Sequence, residues 1–350
     1  MHSKLALKAV AGLAAVALTA TACGSDSGSS ASASTCTSSK EPTINLAAYS
    51  TAGPAYAAII PLFQEYWQKD HPDQTVQFLQ SYQASGTQAE AVVNGFPADV
   101  VALSLAPDVD TIEQAGLITH DWQADKWHGF VTNSVVAFEV RKGNPKNIHD
   151  YSDLTDPGVG VLTADPASSG SAKWNILGIY GSVARSEGTS AGEKLLEDVF
   201  KNVVAFDKSG RDSLTNFESG NGDVAINYEN EILTAETDEQ NTNEIVYPSS
   251  SILIQNPVAV VDENAKQHCV EDVANAFVKF LHTPKAQKAY EEAGNLRSQD
   301  PKTAIAGDGA NFPVIKDVWT VDDLGGWSKV NDQIFSDSGV YQQAFSAAKG

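Results

Sequence analysis

The chain has 350 residues, a formal net charge of −21 and a hydrophobic content of 42%. This length suits two lobes of ordinary domain size, and the composition is that of a folded globular protein. The acidic excess excludes nucleic acid as a partner, because phosphate backbones require basic patches.

The first residues have the pattern of an export signal. Lys4 and Lys8 precede an apolar run at residues 9–18, and Cys23 follows a short stretch of small residues. This order predicts a signal peptide over residues 1–22. The cysteine at the cleavage point resembles the lipobox of bacterial lipoproteins, so Cys23 is the predicted lipidation site. An ordinary cleaved leader is the alternative.

Residues 23–40 are rich in Ser, Ala, Gly and Thr and contain little apolar surface. Such a composition predicts a flexible tether between a lipid anchor and the folded body. Two cysteines remain, Cys36 and Cys269. In an oxidising compartment an even pair favours a disulfide, and two free thiols are the alternative.

Short β-branched runs alternate with helical stretches along the body of the chain, which predicts an α/β fold with a parallel sheet covered by helices. The predicted strands are residues 43–48, 75–81, 98–105, 135–140, 158–163, 203–206, 223–228 and 252–262. The predicted helices are residues 55–69, 87–94, 172–185, 191–201, 213–218, 270–281 and 284–293, followed by a helical tail.

Hydroxyl residues and glycines recur in the loops that open predicted helices. They occupy residues 49–53, 85–86, 168–171 and 209–210. The first turn of a helix has N–H groups without backbone partners and a positive dipole end, and glycine lets an anion approach the main chain. Convergence of several such loops predicts an anion site, whereas each loop alone is also typical of ordinary helix capping.

Several longer segments carry a family resemblance. They are Ser85-Gly86 with ADVVAL at residues 98–103, VRKGNPKNIHD at residues 140–150, Ser169-Gly170 with Trp174-Asn175, and YENE at residues 228–231. With these segments the chain resembles the sulfate/thiosulfate-binding proteins of ABC importers, from about residue 43 to residue 345.

The resemblance implies a type II periplasmic-binding-protein fold, with two α/β lobes joined by crossover hinge strands. Residues 41–138 and 256–350 are then lobe I, and residues 139–255 are lobe II. It also implies a monomeric receptor without a cofactor, exported to the outer face of the cell membrane. Its partners are sulfate or a related oxyanion and the membrane subunits of an ABC importer.

Carried over residue by residue, the resemblance implies a dehydrated sulfate held by hydrogen-bond donors. The implied groups are the Ser50 amide, the Ser85 and Ser169 hydroxyls, the Gly170, Ser171 and Gly210 amides and the Tyr228 side chain, with Arg211 bracing the site. The family commonly has Asp at position 50, Gly at position 171 and Trp at position 228. The phenol of Tyr228 differs most in consequence, because it accepts as well as donates hydrogen bonds.

Selectivity depends on protons. Sulfate is fully deprotonated at neutral pH and needs donors only, whereas phosphate keeps a proton and needs an acceptor. Asp207 and Asp212 flank the loop at residues 209–211, and an inward carboxylate there favours phosphate. We expect both to be solvated or paired with Arg211. Phosphate and molybdate remain alternative ligands.

Two hypotheses of other classes are weighed against this one. Residues 188–192 satisfy the G-x-S-x-G pattern of hydrolases, but a helix is predicted before them instead of the strand that a nucleophile elbow requires. Ser190 and Glu193 instead predict a helix capping box. A structural or adhesion lipoprotein is the second alternative. The seven histidines show no metal-ligand or triad spacing.

Overall fold

The computed structural model describes residues 36, 39–236, 242–308 and 311–349. The chain divides into two compact units, Met1–Cys36 and Thr37–Gly350, and the fold below is that of the second unit. The predicted signal peptide, the lipidation site Cys23 and most of the predicted tether lie outside the described residues.

The described part of the chain alternates strands with helices. Its strands are β1 (Thr43–Tyr49), β2 (Gln77–Gln83), β3 (Val100–Ala102), β4 (Phe130–Val140), β5 (Val161–Ala164), β6 (Val203–Asp207), β7 (Val224–Tyr228), β8 (Glu244–Val246), β9 (Ser250–Val260) and β10 (Asp317–Trp319). Its α-helices are α1 (Gly53–Asp70), α2 (Ser85–Val93), α3 (Ala106–Gln114), α4 (Gly170–Glu187), α5 (Thr189–Asn202), α6 (Gly210–Glu218), α7 (Glu229–Glu236), α8 (Asp262–Gln267), α9 (Glu271–Leu281), α10 (Pro284–Gly294), α11 (Pro301–Ala306), α12 (Gly326–Gln333) and α13 (Val340–Lys349). Short 3-10 turns cover Ser50–Ala52, Tyr151–Thr155 and Val321–Leu324.

The strands form one continuous path in the order β2-β1-β3-β9-β4-β7-β5-β6, with β10 beside β9 and β8 beside β4. Pairing is parallel within β2-β1-β3 and within β7-β5-β6, which we call the first and second half-sheets. The long strands β9 and β4 join them through antiparallel pairs. The predicted α/β class is therefore confirmed, and the antiparallel junction is the feature that the alternation of strands and helices did not reveal.

Local sequence fixes where several helices begin and end. Ser209 precedes α6, and its hydroxyl accepts a hydrogen bond from the Asp212 amide. Thr283 caps α10 in the same way, with Pro284 as the first helical residue. Asn295 ends α10 in the left-handed region, at φ 50° and ψ 38°. These are standard start and stop signals.

The C-terminal segment packs against the helices of the second half-sheet. β10 pairs with the start of β9, and Trp319 leaves no room for a side chain at Gly181 of α4. The α13 residue Tyr341 packs edge-on against Phe200 of α5, with ring centroids 5.8 Å apart. The sequence assigned all of residues 256–350 to lobe I. The lobe boundaries remain a prediction. The packing of the C-terminal segment is relevant to whether that segment belongs to lobe I.

Candidate anion-binding site

Four helical turns begin at the carboxyl ends of parallel strands. The 3-10 turn at Ser50 follows β1, α2 begins at Ser85 after β2, α4 begins at Gly170 after β5, and α6 begins at Gly210 after β6. The carboxyl edge of a parallel sheet is where α/β proteins bind ligands, and each helix start offers amides without intrahelical acceptors.

Glycines let the starts of α2 and α4 meet closely. A Cβ atom built on Gly86 lies 3.1 Å from the Ser168 carbonyl oxygen, and one built on Gly170 lies 2.8 Å from the Cβ of Ser104. Real Cβ atoms do not approach other atoms within 3.0 Å. The first turn of α4, on the second half-sheet, therefore packs directly on the loop after β3, on the first.

The start of α6 is fixed against α4 and β7. A Cβ built on Gly210 lies 2.9 Å from both the Ser171 hydroxyl oxygen and the Asn227 side-chain oxygen. The Asn227 amide group donates to the Gly210 carbonyl at 2.9 Å, and the Tyr228 main-chain N–H donates to the Asn227 side chain at 2.8 Å. Asn227 thus holds Gly210, Ser171 and Tyr228 together, and α6 also contacts the 3-10 turn at Ser50.

The hydroxyl of Ser85 is already engaged. It donates to the Asp108 carboxylate at 2.5 Å and accepts from the Ser104 main-chain N–H at 2.9 Å. Asp108 lies in the first turn of α3 and is buried, which raises its pKa, while the bond from Ser85 lowers it. The donor of Ser85 that this arrangement leaves for a ligand is its amide, at the first position of α2. Asp108 was not among the predicted site residues, and no helix was predicted over residues 106–114.

Tyr228 presents a buried phenol. Its side chain is 1% exposed, and its hydroxyl oxygen has no hydrogen-bond partner. Burial raises the pKa of the phenol, the nearby Ser104 hydroxyl lowers it without completing a hydrogen bond, and the Asp108 carboxylate raises it. A buried hydroxyl is normally satisfied, so this one indicates a place for a ligand or a water molecule.

Ser169 and Ser50 stand at two of the helix starts. Ser169 is 3% exposed and occupies the N-cap position of α4 in extended conformation, but its hydroxyl makes no capping bond. Ser50 is half-buried at the end of β1. All seven residues predicted to bind the anion therefore stand at the carboxyl ends of strands or at the helix starts that follow them.

The comparisons with known proteins agree with this geometry. The model of the bacterial extracellular solute-binding protein family matches residues 44–295. A sulfate-binding protein of Synechococcus elongatus is 43% identical over 88% of this chain and 87% of its own length. A thiosulfate-binding protein of Escherichia coli is 32% identical over 87% of this chain and 91% of its own length.

The chain belongs to the sulfate/thiosulfate-binding protein family. A solved structure, the sulfate-binding protein SubI of Mycobacterium tuberculosis, matches this fold with a TM-score of 0.77 and 39% identity, covering 84% of this chain and 99% of that one. The predicted family and the predicted periplasmic-binding-protein fold are thereby confirmed.

Arg211 directly follows Gly210, and its charge is paired with a carboxylate. Its guanidinium forms an ion pair with Glu231 at 2.5 Å, and Glu231 is 1% exposed. Asp207 and Asp212 were expected to be solvated or paired with Arg211, and the exposed Asp212 fits the first of these, while Arg211 pairs with Glu231. Asp212 is exposed and accepts from the Ser209 hydroxyl, and Asp207 accepts from Asn216.

Two further hydroxyls at the same helix starts were not among the predicted ligand groups. Thr51, in the 3-10 turn, and Ser213, in the first turn of α6, are both buried without a hydrogen-bond partner. The signal was present, since each lies within three residues of a predicted ligand, but a hydroxyl in a helix usually bonds to its own backbone.

The structure also bears on the competing hypotheses. α4 ends at Glu187 and α5 begins at Thr189, so residues 188–192 follow a helix, as predicted, and lack the strand that a nucleophile elbow needs. The predicted capping box at Ser190 is wrong, because α5 begins one residue earlier and Gly188 precedes it without a side-chain bond. In the described ranges no group of three His, Cys, Asp or Glu side chains is arranged to hold a metal ion.

Large cavities do not mark the site. One of about 490 Å³ is lined by Trp127, Trp327 and neighbouring residues, and one of about 370 Å³ by Trp67 and neighbouring residues. Neither contains a predicted ligand residue. A site that surrounds a small anion with amides leaves little empty volume.

Two observations concern export. Among the described residues, none of the helices is both long and apolar enough to cross a membrane. Cys36 and Cys269 are each in a disulfide bond. Neither observation tests the predicted lipid anchor, which falls on residues that the structure does not describe.

Proposed function

We propose that this protein captures sulfate or thiosulfate outside the cytoplasm and delivers the anion to the membrane subunits of an ABC-type importer. The observation that carries the proposal is that helix starts from both half-sheets pack together, α2 on α4 and α4 on α6. Asn227 ties the start of α6 to Tyr228, whose buried phenol has no hydrogen-bond partner. The names of the relatives point to the same ligands.

In the proposed site, donors surround the anion. The ligand set is the amides of Ser50, Ser85, Gly170, Ser171 and Gly210, the Ser169 hydroxyl and the Tyr228 phenol. Ser85 contributes its amide instead of the hydroxyl implied by resemblance, because Asp108 takes the hydroxyl hydrogen. Arg211 braces α6 through Glu231 and stays out of direct contact. Helix dipoles then balance the anion without a countercharge.

Sulfate is preferred over hydrogen phosphate on this account. A proton on the anion needs an acceptor, and in this proposal none of the neighbouring carboxylates contacts the anion. Asp108 accepts from Ser85, Asp207 from Asn216 and Asp212 from Ser209. An anion proton without an acceptor costs about 1–3 kcal/mol when buried. Phosphate and molybdate are the competing ligands in the test.

Two lobes close over the anion in this proposal, with β4 and β9 as the crossover strands. Lobe I is residues 41–138 and 256–316, and lobe II is residues 139–255. The C-terminal segment from Asp317 moves with lobe II, because it packs against α4 and α5. This revises the boundary that the sequence placed at the C-terminus.

The exported form has four further proposed properties. It loses residues 1–22, carries a lipid on Cys23, acts as a monomer without catalysing a reaction, and has Cys36 bonded to Cys269. Metabolic labelling with a radioactive fatty acid tests the anchor: the label should follow the chain into membranes and be lost on Cys23→Ala. A labelled Cys23→Ala protein would contradict lipidation at this residue.

Anion-dependent thermal stability tests the proposed function. Ligand binding to the folded state alone adds about 4 kcal/mol to the free energy of unfolding at a thousand-fold excess over Kd. Sulfate or thiosulfate should therefore raise Tm strongly, and phosphate and molybdate little. No response to any of the four anions would favour the structural-lipoprotein hypothesis instead.

A further inference from the structure

A chain of three hydrogen bonds runs from α4 to the start of α2. Trp174 of α4, which is 1% exposed, donates its indole N–H to the Ser104 carbonyl at 2.9 Å. The Ser104 main-chain N–H donates to the Ser85 hydroxyl oxygen at 2.9 Å. Ser85 in turn donates to Asp108 at 2.5 Å.

This chain crosses between the two half-sheets. α4 follows β5 of the second half-sheet, whereas Ser104 follows β3 and Ser85 follows β2 of the first. The fit is tight where the bond crosses, since a Cβ on Gly170 lies 2.8 Å from Ser104. Lys173, the neighbour of Trp174, also lies close enough to Asp108 to lower the pKa of that carboxyl.

The indole of Trp174 is held in its orientation from behind. The Trp327 ring of α12 packs against it at a centroid distance of 4.9 Å and an interplanar angle of 74°. An edge-to-face pair of this kind adds stability beyond the area that it buries. The N–H therefore points at the Ser104 carbonyl whenever α4 and the loop after β3 are in contact.

We propose that Trp174 is a positioning residue for the anion site, which reaches across the cleft and fixes Ser85 through Ser104 when the lobes close. This inference rests on the proposed function. It assigns Trp174 no contact with the anion. Its bond to Ser104 is made in the closed, anion-bound state and is exchanged for bonds to water when the lobes part.

The expected consequence is kinetic. Removing the indole N–H leaves the Ser104 carbonyl without its donor in the closed state only, at a cost that corresponds to about a tenfold weaker affinity. Encounter with the open lobes is unchanged, so the loss falls on dissociation. A residue that merely supports the core would instead lower stability with and without the anion.

The experiment compares Trp174→Phe with Trp327→Phe in the exported, processed chain. Both variants lose an indole from the same aromatic pair, but only Trp174 donates across the cleft. Sulfate binding is followed by calorimetry and by stopped-flow fluorescence, and Tm is measured without the anion. The inference predicts about tenfold faster sulfate dissociation for Trp174→Phe, with an unchanged association rate, and a smaller effect for Trp327→Phe.

Equal dissociation rates in the two variants would overturn the inference, as would a fall in the anion-free Tm of Trp174→Phe with normal sulfate affinity. Each of these results leaves the proposed function intact, because the unmodified protein still binds sulfate. Failure of the unmodified protein to bind sulfate would overturn the proposed function and this inference with it.

Discussion

The guanidinium of Arg211 lies 2.5 Å from the carboxylate of Glu231, which is 1% exposed. Arg211 directly follows Gly210, so the pair ties the start of α6 to α7. Burial, which the attraction to Arg211 offsets only in part, raises the pKa of Glu231 to about 7. The ion pair therefore exists in full only above that pH.

Glu231 predicts a pH dependence of stability. Its usual pKa is 4.5 and its folded pKa is about 7, so the folded state binds more protons than the unfolded state between these values. The free energy of unfolding contributed by this group therefore falls as pH rises through the window, by about 3 kcal/mol. Urea unfolding at a series of pH values measures it.

Glu231→Gln should remove this slope from the pH profile. Glu187→Gln is the matched control, because Glu187 is exposed at the end of α4. A Glu231→Gln profile that parallels that of the unmodified protein would show that another group carries the dependence.

Adding one methyl group at Gly170 should weaken sulfate binding. In Gly170→Ala the new Cβ meets Ser104 at 2.8 Å and Leu105 at 3.0 Å, so α4 and the loop after β3 must move apart. Overpacking of this kind costs about 1–3 kcal/mol. Sulfate affinity should fall by about tenfold or more, as measured by calorimetry.

Gly53→Ala is the control for that substitution. Gly53 also begins a helix, at φ −51°, but its Cβ would have its nearest neighbour at 3.9 Å. It should bind sulfate normally. If Gly170→Ala also binds normally, the close approach of the half-sheets is not needed for binding.

Tyr228→Phe should have opposite effects on stability and on sulfate affinity. The phenol is buried without a partner, so its removal should raise the anion-free stability by about 1 kcal/mol and weaken sulfate binding. Tyr56→Phe is the contrast, because the equally buried Tyr56 hydroxyl is bonded to Tyr290 at 3.0 Å. That variant should lose stability and keep its affinity. Loss of stability in Tyr228→Phe with full affinity would remove Tyr228 from the ligand set.

The disulfide bonding of Cys36 and Cys269 should make the stability of the protein depend on reduction. Both are disulfide-bonded, so thiol titration of the denatured Cys23→Ala protein should find no free thiol. Cys269→Ser, or reduction of the unmodified protein, should lower the free energy of unfolding by about 2–4 kcal/mol. Two titratable thiols in the unreduced protein would contradict the proposed pairing.

Much of the fold was accessible from sequence because its apolar pattern is regular. β1 and α1 differ from their predicted bounds by one or two residues. β4 begins five residues earlier than predicted, since Thr132, Asn133 and Ser134 are polar but buried. Their side chains form hydrogen bonds with residues distant in sequence, such as the bond that Asn133 donates to the Ser298 carbonyl. Distant hydrogen-bond partners of this kind produce no periodic pattern of polar and apolar residues in the sequence.

In the site, too, local features could be predicted from sequence and contacts between distant residues could not. Glycines and serines at helix starts are visible in the sequence, and the structure places the predicted ones at the carboxyl ends of strands or at the helix starts that follow them. Asp108 and Glu231 were missed as parts of the site. One is held by Ser85 and the other by Arg211, and neither spacing is local. The direction of the Ser85 hydroxyl follows from such a distant partner and not from the Ser-Gly motif.

Calorimetric titration of the processed protein with sulfate, at one acidic and one alkaline pH and with phosphate as competitor, tests the central claim most directly. The donor-only site predicts tight sulfate binding that phosphate does not displace at either pH. Silence with sulfate together with pH-dependent binding of phosphate would contradict the sulfate assignment and require an acceptor within the site.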